Sequence, residues 1–334
     1  MADNRRRVQS RGGSEPAVDV DGLGLSGPAE PPPEGRRTSR TTVLLAIALA
    51  VAGTVLMATK WADLFGGPVS DGPTVVIPVG SPDHGRSPIR LAAFGDVGTG
   101  DADERRTAEL AVVAAQSQPF DALLLLGDNV YPNGDPDRLD ATVFGPFASL
   151  LAQNTVLLAV LGNHDVLEGN AAGQVEALGM PGRWYAAEIG PVLVVALDST
   201  LVGDGDQRRW LEETLAASGA EWTIVILHHP PFSAGYHGSN EQVQTIWVPI
   251  LDRYDVDLVI AGHDHDYQRS VPIGGVTYVV SGAGARTRPT GRADFTAVSS
   301  SEHHFLDIAV WRDRIEIVAV GVEGPVDHFV IAAR

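Results

Sequence analysis

Val156-Leu157-Leu158-Ala159-Val160-Leu161-Gly162-Asn163-His164-Asp165 is the stretch on which the fold turns. Six apolar residues run without a polar interruption and stop at a glycine, which fits a short buried strand better than a helix. Three side chains that can bind a metal or carry a proton follow at once. In open α/β sheets, sites form outside the carboxyl ends of the strands, so this arrangement marks a candidate site. The same pattern recurs along the chain. Ile89–Phe94 runs into Gly95-Asp96, and Ala122–Leu126 into Gly127-Asp128-Asn129-Val130-Tyr131. Trp222–Leu227 runs into His228-His229-Pro230, and Leu258–Ala261 into Gly262-His263-Asp264-His265. A sixth apolar run, Val192–Leu197, ends at Asp198, which reads as a cap or a supporting hydrogen-bond acceptor. Five ligand-bearing strand ends should converge on one place.

Between the strands, Arg105–Gln116 and Gln207–Ala217 have helical spacing, with Trp210, Leu211 and Leu215 on one face of the second. After Gly274 the pattern turns to strands at Val276–Val280, Phe305–Val310 and Arg314–Val320. The alternation predicts an α/β sandwich whose later strands form a second sheet.

Composition narrows the chemistry. Of 334 residues, 44% are hydrophobic and none is cysteine, so a large core is available while disulfides, thiolate metal sites and cysteine nucleophiles are excluded. Net charge is −18, unevenly spread. Residues 1–60 carry eight basic and six acidic side chains, leaving 16 basic and 36 acidic ones for the remainder. Such an acidic body repels polyanions, and no nucleic-acid partner is expected.

The first 40 residues are rich in Arg, Gly, Pro and Ser without apolar periodicity, and read as a disordered segment. Residues 41–60 hold no charge until Lys60. At ~1.5 Å per residue the apolar stretch would span roughly 25–29 Å, close to a bilayer's hydrocarbon thickness. Arg36, Arg37 and Arg40 precede it, so the expectation is a transmembrane signal anchor with a cytoplasmic N-terminus and an extracytoplasmic remainder. Secretion after signal cleavage is the alternative. Residues 61–88 are punctuated by Gly and Pro and read as an extracytoplasmic linker, with the folded domain at 89–334. The chain carries no signal for oligomeric state.

The five clusters offer oxygen and nitrogen donors and no sulfur, a set that suits Fe, Mn, Zn or Mg. A glycine before a ligand permits a sharp turn that aims the side chain along the strand axis. His263-Asp264-His265 places two imidazoles on one side of an extended segment.

In this order the motifs Gly-Asp, Gly-Asp-Asn, Gly-Asn-His-Asp, a histidine after a strand and Gly-His-x-His resemble the calcineurin-like metallophosphoesterases. Tyr131, three residues after Asp128, is similar to the ligand tyrosine of purple acid phosphatases. His237-Gly238, nine residues after His228, and Ser281-Gly282-Ala283-Gly284 resemble the mammalian-type, tartrate-resistant branch. The resemblance covers residues 89 to the C-terminus and implies a four-layer α/β/β/α sandwich of two mixed sheets. It implies a binuclear centre, Fe(III) with a divalent Fe, Zn or Mn. Asp96, Asp128, Tyr131 and His265 would hold the first metal, and Asn163, His228 and His263, with Asp128 bridging, the second. A metal-bound hydroxide would attack a small phosphate ester in line, with His164 protonating the leaving group, His237 assisting and Asp165 orienting His164. Trivalent iron would set an acidic to mildly acidic optimum.

An acid phosphatase acting on monoesters is therefore the leading reading. A metallophosphodiesterase of the same superfamily and a surface binding module with a vestigial metal site are the rivals. His229 reads as structural, and His84, His303, His304 and His328 as surface residues. Arg286, Arg288 and Arg292 stand open between phosphate steering and a solvated loop.

Overall fold

The computed structural model describes residues 72–78 and 87–334. The expected disordered segment and the anchor at 41–60 lie outside them. No helix among the described residues is long and apolar enough to cross a membrane.

Fourteen strands are present among the described residues. They are β1 (Thr74–Ile77), β2 (Ile89–Phe94), β3 (Ala122–Leu125), β4 (Val156–Ala159), β5 (Tyr185–Ile189), β6 (Val192–Ala196) and β7 (Trp222–Leu227). There follow β8 (Leu258–Ala261), β9 (Tyr267–Ser270), β10 (Thr277–Ser281), β11 (Thr296–Ser300), β12 (His304–Val310), β13 (Arg314–Gly321) and β14 (Gly324–Ala332). The α-helices are α1 (Ala102–Ala114), α2 (Ala148–Leu151), α3 (Ala171–Ala177), α4 (Gly205–Ala217), α5 (Glu241–Ile246) and α6 (Val248–Arg253). One mixed sheet runs β1-β5-β6-β7-β8-β10-β9-β11 and the other β14-β13-β12-β2-β3-β4.

This order corrects one expectation. The late strands do not build a sheet of their own. β12 pairs antiparallel with β2, Leu306 opposite Ala93, so β12–β14 extend the sheet begun by β2–β4. Period-2 hydrophobicity announces a strand but is silent about its partner, and this pairing joins segments more than 200 residues apart.

Alternation along the central strands sorts side chains into two cores. Ile224 and Ile226 of β7 join Val194, Ile260, Leu124 and Phe305 between the two sheets. Val225 and Leu227 point the other way, onto Leu211 and Leu215 of α4 and Val243, Trp247 and Leu251 of the α5–α6 region. Each such buried aliphatic chain stabilises the fold by about 1.5–3 kcal/mol. Helix α1 starts on an Asp101 cap that accepts the amides of Asp103 and Glu104, and packs on β12 and β13.

Thr74–Ile77, read from the sequence as part of the linker, is a strand pairing in parallel with β5. Val75 and Ile77 face the core while Val76 is 62% exposed. The β-branched run was visible, but the Gly72-Pro73 and Pro78 around it carry the stronger linker signal.

Parallel pairing aligns the strand ends that matter. Phe94, Leu125 and Ala159 stand in register across β2, β3 and β4, and Leu227 is level with Ala261 across β7 and β8. The five ligand-bearing turns therefore leave from the same edge of each sheet.

Candidate metal centre

The backbone carries the strain that brings the turns together. Asp96, Asp128 and His263 adopt left-handed conformations with φ of 59°, 53° and 73°. Non-glycine residues rarely do this, and at functional sites such strain is held by the surrounding structure. The glycines mostly have another role than the one expected. Gly127 does have positive φ, but Gly262 serves close approach: a Cβ there would lie 2.6 Å from Asp96 Oδ2.

Backbone amides hold the carboxylates. His263 N–H donates to Asp96 Oδ2 at 2.8 Å, and His164 N–H to Asp128 Oδ1 at 2.9 Å. Each bond crosses from one turn to another, so the two motifs fix each other.

Two sets of donor atoms result. Tyr131 Oη lies 3.1 Å from both Asp96 Oδ1 and His265 Nε2, which are 3.4 Å apart. Beside it, His228 Nε2 lies 3.1 Å from Asn163 Oδ1, 3.2 Å from His263 Nδ1 and 3.5 Å from Asp128 Oδ1. The Asp96, Asp128 and His228 ligand atoms come within 4.8 Å of one another, linking the two sets. All seven expected metal ligands are thus gathered.

The second set has a chemical peculiarity. His228 Nδ1–H donates to Leu126 O at 2.9 Å, which leaves Nε2 as a bare lone pair. That lone pair faces the Asn163 carbonyl oxygen, another acceptor. Acceptors at this spacing repel unless something positive sits among them.

Electrostatics agree. Asp96 and Asp128 are 0% and 2% exposed, and among the described residues no arginine or lysine pairs with either. Burial raises both pKa values, and the Asp128 charge raises that of Asp96 further. Burial and then neighbouring cations or imidazoles push the histidines down: His228 well below its usual range, His263 also, and His265 to about 4. Neutral imidazoles, a phenol, an amide oxygen and two crowded carboxyls fit a metal site and are costly as a bare cluster.

The centre opens into a cleft of about 340 Å³ lined by Thr99, Pro132, Asn163, His164, His237 and Arg288 among others. His164 Nδ1 donates to Pro132 O at 2.5 Å. This corrects the role expected for Asp165, whose buried carboxylate instead accepts amides of Gly162, Asn129 and Val130. It ties the Gly-Asp-Asn turn to the Gly-Asn-His-Asp turn and leaves the His164 ring to a backbone carbonyl. His237 N–H donates to Asp264 Oδ1 at 2.7 Å, and Arg288 donates to His237 Nε2 at 2.7 Å.

Other histidines divide. His229 keeps a structural bond, Nδ1 to Ser199 Oγ at 2.9 Å, yet its ring lies 4.6 Å from that of His263. His304, expected on the surface, is 1% exposed and shares a 2.9 Å hydrogen bond with Ser281 Oγ. It opens β12, a central strand, and its ring packs against Tyr267 and Ser281 of the other sheet. Asp198 caps the turn at Ser199–Leu201 and pairs with Arg183. Arg286 and Arg288 line the cleft, whereas Arg292 bonds to Ala297 O outside it. Thr99, Arg138 and Asp264 escaped the sequence reading. Only Asp264 had a signal, as the residue between the two motif histidines.

Fold and donor set together define a metallohydrolase of the phosphoesterase type. The family model for calcineurin-like phosphoesterases matches residues 89–267, and the chain belongs to that family. It is 28% identical over 253 residues to tartrate-resistant acid phosphatase type 5 of Mus musculus, covering 63% of this chain and 77% of that protein. An uncharacterised protein of Mycobacterium tuberculosis is 27% identical over 237 residues, 57% of this chain and 45% of its own length. The chain thus spans about half the length of that mycobacterial relative. Among solved structures, a purple acid phosphatase from Lupinus luteus seeds superimposes with a TM-score of 0.62 at 19% identity, over 73% of this chain and 53% of the other. That likeness shows the fold alone.

Proposed function

We propose that this phosphoesterase hydrolyses small phosphate monoesters as an acid phosphatase with a binuclear centre. The observation that carries the reading is the face-to-face packing of acceptors, His228 Nε2 against Asn163 Oδ1, beside the buried Asp96 and Asp128. Asp96, Tyr131 and His265 would hold one ion, Fe(III), and Asn163, His228 and His263 a divalent Fe, Zn or Mn, with Asp128 between. When bound, such a pair supplies Lewis acidity to the phosphoryl oxygens and an activated water.

The chain's own groups do the rest. His164 spends its Nδ1 proton on Pro132 O, so Nε2 is the atom left to protonate a leaving oxygen in the cleft. His237 stands at the same cleft, held by Asp264 through its amide. The apolar run and basic flank of residues 41–60 support an extracytoplasmic, membrane-anchored location as part of this proposal.

The test is metal content, a visible spectrum, and turnover of p-nitrophenyl phosphate against bis-p-nitrophenyl phosphate on the purified chain. Iron with a second metal, a purple band and monoester turnover at acidic pH are expected. Two divalent ions, no colour and turnover confined to the diester would move the protein to the phosphodiesterases. Unaltered turnover in Asn163→Ala or His228→Ala would place the chemistry elsewhere.

A further inference from the structure

Most charge on this domain is negative, with 16 basic against 36 acidic side chains after residue 60. The cleft reverses that sign. Arg138, Arg286 and Arg288 all line it, and Asp128 is the only carboxylate among the residues that do. Elsewhere Arg90, Arg183, Arg269 and Arg334 are each ion-paired with an aspartate. None of the three cleft arginines is ion-paired among the described residues.

They are not equivalent. Arg138 is occupied by backbone, donating to Tyr131 O and Thr99 O. Arg288 donates to His237 Nε2 and lies 4.8 Å over the Tyr236 ring. Arg286 is exposed, its guanidinium 5.7 Å from the Tyr131 ring centroid, and among the described residues it makes no hydrogen bond. Asp101 feels its charge but lies beyond ion-pairing distance.

Nor is the segment a loose loop. Arg288 N–H donates to His265 O at 2.8 Å, Gly284 N–H donates to Gly95 O at 3.1 Å, and Ala283 and Ala285 are buried. The arginine backbone is therefore fastened to two of the turns that carry ligands, Asp96 and His265. A guanidinium carried on an anchored backbone at the rim of the cleft, with its donors unspent, matches a second phosphate by bidentate hydrogen bonding.

We propose that Arg286, supported by Arg288, forms a subsite for a second phosphate on the leaving group, so that this residue makes the chain prefer substrates whose leaving group carries another phosphate. This rests on the phosphatase reading and adds the residue that sets its preference. The step is hydrolysis: water oxygen forms the new P–O bond, and the bond to the leaving oxygen breaks with its electron pair staying on that oxygen. One water proton ends there, and the other is released or retained by the phosphate product.

The experiment uses the metal-loaded full chain with pyrophosphate and with phenyl phosphate, whose leaving group has no second anion. Arg286→Gln should lower the pyrophosphate to phenyl phosphate ratio of kcat/KM by roughly tenfold or more, chiefly through KM, while Arg286→Lys keeps most of the ratio. Calorimetric binding of methylenediphosphonate, which is not hydrolysed, should weaken in Arg286→Gln more than binding of inorganic phosphate. Arg286 is exposed, so neither variant endangers folding. A ratio unchanged within about twofold, with both affinities shifting together, overturns the subsite alone. Absence of turnover of either compound by the wild type overturns the phosphatase reading and the subsite with it.

Discussion

The carboxylate of Asp165 takes both amides of Asn129, the backbone N–H at 3.1 Å and the side-chain N–H at 2.9 Å. With Gly162 and Val130 also donating, one fully buried side chain satisfies four donors from two turns. Those turns supply Asp128, Tyr131 and Asn163. The carboxylate thus governs the spacing of three proposed metal ligands without touching any of them through its side chain.

Removing it should cost both stability and metal. Asp165→Ala leaves several buried amides unpaired, for a loss of roughly 2–5 kcal/mol. Metal affinity should fall by roughly 10–100-fold, as it does when a group supporting a ligand is lost. Denaturant unfolding of the metal-free chain, with elemental analysis after equilibration in limiting metal, reads the two effects separately. A variant as stable as wild type would show that the turns hold themselves.

Tyr131 gives a test by eye. Its hydroxyl is 3.1 Å from Asp96 Oδ1 and from His265 Nε2, where it would ligate Fe(III). Tyr131→Phe should abolish the visible charge-transfer band while the far-ultraviolet circular dichroism stays as in wild type. A purple variant would remove the tyrosine from the centre.

Much of this was legible in the chain. Turns such as Gly95-Asp96 and Leu161-Gly162-Asn163-His164 announce themselves because an apolar run ends abruptly in ligands, a local pattern. Pairing partners were not legible: β12 was found, but its place beside β2 depends on contacts far apart in sequence. Nor could the sequence show that Pro132 O, and not Asp165, holds His164, because backbone carbonyls leave no residue-type signature.

Close approach makes a paired glycine prediction. A Cβ at Gly162 would overlap the Asp128 carboxylate and backbone nitrogen, whereas at Gly203 nothing lies within 4 Å. Gly162→Ala should displace the Asp128 carboxylate and cost more than ~2 kcal/mol, with metal binding lost. Gly203→Ala should stay within about 0.5 kcal/mol of wild type. Equal effects of the two changes would mean the Asp128 turn has room to move.

Glu104 lies apart from the proposed metal ligands and provides a pH signature. It is 0% exposed; Oε2 accepts Gly100 N–H at 2.5 Å and the Thr99 hydroxyl at 3.2 Å, while Oε1 has no partner. Burial pushes its pKa up to about 8 from an ordinary 4.5. Between those values the folded chain keeps a proton that the unfolded chain has released. Its contribution to stability is therefore complete below the unfolded pKa and is lost as pH rises through the folded one. Glutamine stays neutral throughout. From pH 5 to 8, Glu104→Gln should gain on the wild type by about 1.4 kcal/mol per pH unit in unfolding free energy. Denaturant melts of the metal-free proteins at several pH values measure the difference and cancel the other titrating groups. A difference that stays flat across that range would mean Glu104 is ionised in the folded chain, with a counter-charge reaching its unpartnered oxygen.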